Sequence, residues 1–441
     1  MGCDKNLVDT EQMLGMLLAD GHVYCDDVAA ADIIMVNTCC FIEDAKVESI
    51  ETILGLAEYK ISGRARSLIV MGCLAERYKE QIEKEMPEVD VVLGMEASSK
   101  IARLLAEMDT DLTGRAKTAD CCLSEGRATA ARRVLTTGGH YAYLKIAEGC
   151  DKHCTYCVIP QIRGPYRSVP MEALLDEAAD LVSAGVGELV IVAQETTRYG
   201  MDLYGEPRLP ALLKALCQIG GLRWVRLLYC YPEEISDELI ELLAQEEKIC
   251  NYLDIPIQHG SDKILKMMGR KTTRQQIVAL VEKLRRKIPD ICLRTTLMTG
   301  FPGETKADHL MNMQLVETLG FDRLGVFCYS AEEGTGAARL PRRVSAAKGR
   351  LRRAQLMEAQ QKKAFCAARA MKGKRLWVMV EGRVVEGADA GTNLYMARTY
   401  KDAPDIDACL YFESEREFMS GDFVEVTVTD ARYYDLIGEI P

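Results

Sequence analysis

Between residues 141 and 330 the sequence repeats one pattern six times: a short apolar run, then a stretch with helical spacing. The runs are "YLKIA", "ELVIVAQ", "WVRLLY", "YLDIPI", "ICLRTTLMTG" and "RLGVFCYS", and "MEALLDEAADLVSAG" and "QQIVALVEKLRRKI" are two of the stretches between them. Short runs rich in Val, Ile and Leu are buried strands, and a helical crossover returns the chain in the same direction, so the predicted sheet is parallel. Six such units are expected to curve into a TIM-like partial (βα)6 barrel, with function at the carboxyl ends of the strands. Gln194, Glu195, Arg226, Gln258, His259 and the turn "TGFPGE", with Gly300, Gly303 and Glu304, fall at or near those ends. Glycines there allow close backbone approach, and polar groups can hold the edges of a ligand. Each alone also reads as turn chemistry or a satisfied polar residue; as a set they mark a binding face.

The flanks differ from the barrel. Residues 1–106 contain "DIIMVNTCC" and "RSLIVMGC", two apolar runs that each end in cysteine and pass into a helical pattern, as an open parallel α/β domain requires. Residues 107–137 read as a linker that includes Cys121 and Cys122, and residues 138–370 hold the barrel plus a long basic helix, either a solvated face or a brace. From 371 to 441 alternating apolar runs predict a small β-barrel. This tail carries eight Lys or Arg against fourteen Asp or Glu, a net of −6.

Cysteine usage narrows the chemistry. The chain has 441 residues, 48% of them hydrophobic and only 13 prolines, enough for two or three cores. Its apolar runs fall far short of the roughly 20 residues that span a bilayer, so a cytoplasmic protein without a membrane partner is expected. Seventeen cysteines in a reducing compartment point to metal ligation for some of them. Cys150, Cys154 and Cys157 are spaced CxxxCxxC, and three thiolates this close can wrap one side of a cubane cluster while leaving one iron open. Zinc would want a fourth ligand, and His153 is too close in sequence to Cys154 to converge on the same ion easily. Cys39 and Cys73 end the two amino-terminal strands, and Cys3 stands ahead of the helix-like "DKNLVDTEQMLGMLLADG". A packing role is available to each of these three singly; their matched placement favours a second ligand set, with Cys39 preferred over Cys40. Cys217, Cys230, Cys250, Cys292, Cys328, Cys366 and Cys409 sit singly in apolar or helical contexts and read as packing residues.

The CxxxCxxC spacing, with Tyr156 ahead of the last cysteine, resembles the radical S-adenosylmethionine superfamily, whose open iron chelates that cofactor. With "GCDKNLVDTE", "NTCCFIEDAKVES", "KIAEGCDKHCTYCVIP", "AQETTRYG" and "APDIDACLYF" the likeness covers nearly the whole chain and resembles the methylthiotransferase family, most closely the branch that modifies a ribosomal protein, the RimO type. The resemblance implies two 4Fe-4S clusters, an auxiliary one on Cys3, Cys39 and Cys73 and a cofactor-cleaving one on Cys150, Cys154 and Cys157. It implies S-adenosyl-L-methionine contacts among Tyr156, Gln194, Glu195, Arg226, Gly300, Gly303 and Glu304, and a carboxy-terminal TRAM domain. The implied reaction is methylthiolation of the β-carbon of an aspartate in small-subunit ribosomal protein twelve, giving 3-methylthioaspartate. No side chain need act as acid or base, and a low-potential flavodoxin or ferredoxin would supply electrons. Within the family the alternative is a tRNA adenosine methylthiotransferase; outside it, a nonenzymatic cluster carrier. The acidic tail argues for a basic protein partner and makes tRNA unlikely, since phosphate binding wants clustered cations. One departure stands out: the strand expected ahead of Cys3, by analogy with those before Cys39 and Cys73, is missing.

Overall fold

The computed structural model describes residues 2–95, 101, 103–105, 133–384 and 392–441; of the linker expected over 107–137, residues 107–132, with Cys121 and Cys122, lie outside them. Contacts divide the described chain into two compact units. The first comprises the residues up to Thr136 together with Gly149–Asp151 and Cys157–Pro165, and the second comprises Thr137–Glu148, Lys152–Tyr156 and Tyr166–Pro441.

The first unit is a parallel sheet of β1 (Ile33–Thr38), β2 (Ser67–Gly72) and β3 (Val91–Leu93), in that order, with helices α1 (Asp4–Ala19), α2 (Glu43–Ile61) and α3 (Cys73–Glu85). Side chains of a strand alternate faces, and β2 uses both. Leu68 and Val70 enter a core with Ile53 and Ala57 of α2 and Leu74 and Ile82 of α3, while Ile69 and Met71 enter another with Met13 and Leu17 of α1. The α2 core also takes in Val158 and Ile162. This is why the stretch after Cys157, read from sequence as part of the barrel, packs with the amino-terminal sheet.

All six expected barrel strands form in the second unit: β4 (Tyr141–Lys145), then, after the short antiparallel pair β5 (Ala147–Glu148) and β6 (Arg167–Ser168), β7 (Glu188–Val192), β8 (Trp224–Leu227), β9 (Ile249–Asp254), β10 (Cys292–Thr299) and β11 (Arg323–Cys328). Every neighbouring pair in the order β11-β10-β9-β8-β7-β4 is parallel. Thr273 with Gln276 and Thr305 with Asp308 form capping boxes that fix where the helices Arg274–Lys287 and Lys306–Leu319 begin. The basic helix runs from Ala346 to Arg369 and buries a stripe at Arg352, Leu356, Gln360, Ala364 and Ala368. It packs on β10, β11, helix Lys306–Leu319 and the tail, and so acts as a brace as well as a solvated face.

The tail is a closed five-stranded barrel of β12 (Arg375–Val384), β13 (Asn393–Thr399), β14 (Leu410–Ser414), β15 (Phe423–Arg432) and β16 (Asp435–Glu439). The run "DFVEVTVTDARYYDLIGEI", continuous in sequence, breaks into β15 and β16 because Tyr433 takes a left-handed conformation (φ 59°) and turns the chain. A hairpin turn without glycine or asparagine leaves little sequence signal.

Charge joins this barrel to the amino-terminal edge of the parallel sheet. Glu188, at the start of β7, meets Arg226 Nε at 2.6 Å and Arg398 Nη1 at 2.7 Å, and both carboxylate and guanidinium groups are fully or almost fully buried. Arg226 also donates to the carbonyls of Tyr400 (2.6 Å) and Thr399 (3.4 Å). Arg323 pairs with Asp402 at 2.5 Å, and the hydroxyls of Tyr141 and Tyr252 donate to Asp405 and Asp407 at 2.8 and 2.7 Å. Arg398 also pairs with Glu381 (2.7 Å), which meets His140 Nε2 at 3.0 Å. The acidic count of the tail therefore overstates its outer face, since Asp402, Asp407 and Glu381 turn inward.

Of the seven cysteines expected to pack, Cys217, Cys230, Cys250 and Cys292 are buried, Cys328 and Cys409 are half-buried, and Cys366 is exposed. For Cys366 the expectation fails because it lies off the helix's buried stripe. Among the described residues no helix is long and apolar enough to cross a membrane.

Glu188→Ala is expected to leave two buried guanidinium groups short of a partner and to cost about 3–5 kcal/mol, read as a lower calorimetric midpoint. A pH effect follows from His140. Burial pushes its pKa down, but the bond to Glu381 and that carboxylate's charge outweigh burial and raise it. A raised histidine pKa adds stability that is complete below the unfolded value of about 6.5 and is lost as pH climbs through the folded value. The thermal midpoint should therefore drop more between pH 6 and pH 9 in the parent than in His140→Gln.

Candidate cluster and cofactor sites

In the first unit Cys3, Cys39 and Cys73 arrive from three separate elements. Cys3 is the residue before α1, Cys39 follows β1, and Cys73 opens α3 directly after β2. Two of the turns depend on glycine. Gly72 has φ 91°, and a Cβ there would stand 2.2 Å from Asn37 Oδ1 and 2.6 Å from the Thr38 carbonyl. Gly149, ahead of Cys150, has φ 79°, and its Cβ would stand 2.1 Å from the Pro165 carbonyl. The dipeptide Gly-Cys recurs at 2–3, 72–73 and 149–150, a sequence signal the strand-and-helix reading passed over.

The three amino-terminal thiols share one electrostatic neighbourhood. Burial pushes the Cys73 thiol up to about 12, opposed by the Arg163 charge and reinforced by Cys3, Cys39 and Cys40. Cys39 is raised by burial and by Cys3 and is drawn down by Arg163. The Ser49 hydroxyl, fully buried on α2, accepts from the Cys39 amide (3.1 Å) and donates to its carbonyl (2.9 Å), which pins that residue's backbone. Cys40 turns away: it is fully buried, and its thiol donates to the Cys73 carbonyl at 3.1 Å. Buried Asn6 donates to the Thr38 carbonyl at 2.9 Å and sets its Oδ1 3.7 Å from Cys73 Sγ. Arg163, on the stretch after Cys157, places Nη2 3.6 Å from the same sulfur. Soft thiols beside a buried cation and amide groups are a donor set suited to an iron–sulfur cluster. Among the described residues no group of three or more His, Cys, Asp or Glu side chains is placed to hold a single metal ion; a cubane takes one thiolate on each of three irons and does not require that convergence.

Of the central cysteines, Cys150 and Cys154 are buried and Cys157 is half-buried, its sulfur accepting from the Ile159 amide at 3.5 Å. Beyond the carboxyl ends of β7 and β8 lies a charge cluster the sequence reading found only in part. Lys152 Nζ stands 3.2 Å from Glu195, 3.6 Å from Glu233 and 2.5 Å from Glu234. Glu195 is fully buried, and burial pushes its carboxyl up to about 7 against the pull of Lys152. Gln194 donates to Glu148 at 2.7 Å. Tyr156 packs with Ile264, Met268 and Phe301. Arg270 lies over the Tyr231 ring, 4.2 Å from its centre, close enough to Tyr156 and Cys154 for their charges to count.

Gly300, Gly303 and Glu304 lie together in the turn after β10. The Gly300 amide donates to Glu304, whose carboxylate also meets Arg352 at 3.0 Å and His259 at 3.7 Å. Arg226 is not at this end: its side chain runs to Glu188 and the tail carbonyls at the opposite edge. The reason is direction, since a residue three into a four-residue strand can reach either end and the buried carboxylate lies at the start of β7. His153 (φ 47°), Tyr229 (φ 60°) and Gln258 (φ 70°) adopt left-handed backbone in the loops on the carboxyl side of β5, β8 and β9. Such conformations in non-glycine residues cluster where a backbone is held for binding.

Comparison with known proteins follows the same divisions. The Radical SAM superfamily model matches residues 144–316, the Uncharacterized protein family UPF0004 model matches 1–94, and the TRAM domain model matches 373–440. The chain is 55% identical over 439 residues to the ribosomal protein uS12 methylthiotransferase RimO of Lachnoclostridium phytofermentans, covering 99% of this chain and 98% of that one. It is 47% identical to the protein of the same name from Trichlorobacter lovleyi, covering 100% and 96%. Among solved structures, the radical S-adenosylmethionine methyltransferase TsrM from Kitasatospora setae aligns with a TM-score of 0.54 at 15% identity, over 74% of this chain and 70% of that one. At that identity the likeness is one of fold.

Metal loading separates the adjacent thiols. After anaerobic reconstitution with iron and sulfide, Cys39→Ala is expected to hold about four irons fewer per chain than the parent, while Cys40→Ala holds the parent's number, as read by colorimetric iron analysis.

Proposed function

Because the chain belongs to the RimO family of ribosomal protein uS12 methylthiotransferases, we propose that it adds a methylthio group to the β-carbon of an aspartate in protein uS12, giving 3-methylthioaspartate. The observation that carries this reading is the shared electrostatic neighbourhood of Cys3, Cys39 and Cys73, with a buried guanidinium beside Cys73, in a chain that also holds a CxxxCxxC loop. Cys3, Cys39 and Cys73 would hold one 4Fe-4S cluster, and Cys150, Cys154 and Cys157 a second. When bound, the clusters and S-adenosyl-L-methionine supply the electron-transfer, radical and sulfur chemistry.

The side chains supply holding and exclusion. Lys152, set among Glu195, Glu233 and Glu234, fixes charges beside the loop that carries Cys154. Gln194, Glu195 and Tyr156 are our candidates for contacts to the amino-acid and adenosyl parts of the cofactor, with the Gly300–Glu304 turn as a backbone cradle. Arg226 is withdrawn from that list because its donors are engaged at the opposite edge. No residue is assigned as a general acid or base. The full-length relatives, more than the tail's charge, support a ribosomal protein over tRNA as substrate, because part of that charge is turned inward. A low-potential flavodoxin or ferredoxin is the electron donor we propose, and the cytoplasm, where ribosomes and reduced thiols coexist, is the compartment.

The test is anaerobic reconstitution followed by reductant, S-adenosyl-L-methionine and either a uS12 peptide or tRNA. The peptide is expected to gain one methylthio group by mass spectrometry, and Cys154→Ala should abolish both that gain and cofactor cleavage. A gain on tRNA alone would overturn the reading.

A further inference from the structure

Arg163 was not singled out in the sequence, yet it bonds to α1 and stands beside Cys73 in the amino-terminal thiol neighbourhood. It is 3% exposed. Its Nη2 donates to Asn6 Oδ1 and stands 3.6 Å from Cys73 Sγ, while Nη1 lies 3.2 Å from the Asp9 carboxylate. Asn6 and Asp9 belong to α1, and Cys73 opens α3. A planar fork reaches three acceptors on two elements; a lysine ammonium on its flexible stem does not hold that geometry.

We infer that Arg163 is a positioning residue for the cluster on Cys3, Cys39 and Cys73, donating a charged hydrogen bond to the Cys73 sulfur that favours the reduced state of that cluster. The inference rests on the proposed two-cluster reading. Reduction adds negative charge, which spreads onto the thiolate sulfurs. A buried cation donating to one of those sulfurs interacts more strongly with the reduced form and raises the potential. Asp9 opposes it, because its carboxylate cancels part of the guanidinium charge at short range. The two residues thus have opposite signs of effect, which a purely structural role would not produce. The arrangement also ties chemistry to architecture: Arg163 lies six residues after Cys157, on a stretch anchored in the first unit's core by Val158 and Ile162.

The test is an anaerobic redox titration of the full-length holoenzyme followed by electron paramagnetic resonance. The signal that S-adenosyl-L-methionine leaves unchanged reports the amino-terminal cluster. In Arg163→Gln the ratio of reduced to oxidised cluster at fixed poise is expected to fall about tenfold, equal to about 59 mV for a one-electron couple. Arg163→Lys should fall between parent and Arg163→Gln, and Asp9→Asn should shift the other way. Should Arg163→Gln fail to retain this cluster, Asp9→Asn decides: a rise in potential supports the proposal, and no change overturns it. Unchanged potentials in both variants, with iron near eight per chain, overturn the role of Arg163 and leave the two-cluster reading standing. A parent protein with about four irons and no such signal overturns both.

Discussion

Glu188 holds two guanidinium groups in a setting closed to water, and that arrangement decides which end of the six-stranded sheet is left for chemistry. Buried ion pairs contribute little net stability compared with apolar replacements, because desolvation offsets the attraction. Broken, however, they cost several kcal/mol. Any other docking of the tail barrel would part Arg398 from Glu188 and Arg226 from the Thr399 and Tyr400 carbonyls, while the Arg226–Glu188 pair within the sheet would stay. The network thus specifies orientation more than it adds stability. Asp402 against Arg323, and Tyr141 and Tyr252 against Asp405 and Asp407, extend the same logic at the starts of β11 and β4 and within β9.

With one edge sealed, the opposite ends of the strands carry the features that cost free energy. A buried Glu195 beside Lys152 and the left-handed backbones of Tyr229 and Gln258 are each unfavourable alone. Such groups persist when the surrounding fold over-determines them. Here the parallel sheet does so: its hydrogen bonds stop at the strand ends, and the loops beyond are held by side chains such as Glu304, which bonds to the Gly300 amide and pairs with Arg352.

What the sequence disclosed and what it hid divide along a physical line. Periodicity shows which residues are buried and in which element, so the six strands, the cysteine-terminated β1 and β2 and the closed tail barrel were all legible. It does not show where a long side chain points. Arg226 was placed at a functional end because of its strand, but its guanidinium lies at the other edge. Nor does it show which distant segments meet. Lys152, Glu233 and Glu234 come from two loops more than eighty residues apart, and Arg163 reaches α1 across more than 150 positions. Counting charge in the tail failed for a related reason, since a count cannot tell a solvated carboxylate from Asp402 facing Arg323.

The stretch Cys157–Pro165 belongs by packing to the amino-terminal sheet, although in sequence it lies between β5 and β6, inside the barrel region. A chimera made by exchanging residues up to about the Thr136 junction between relatives would separate Val158 and Ile162 from the apolar partners they pack against in this chain. An exchange that keeps this core whole has to carry Cys157–Pro165 together with the residues up to Thr136, although more than twenty positions separate them along the chain.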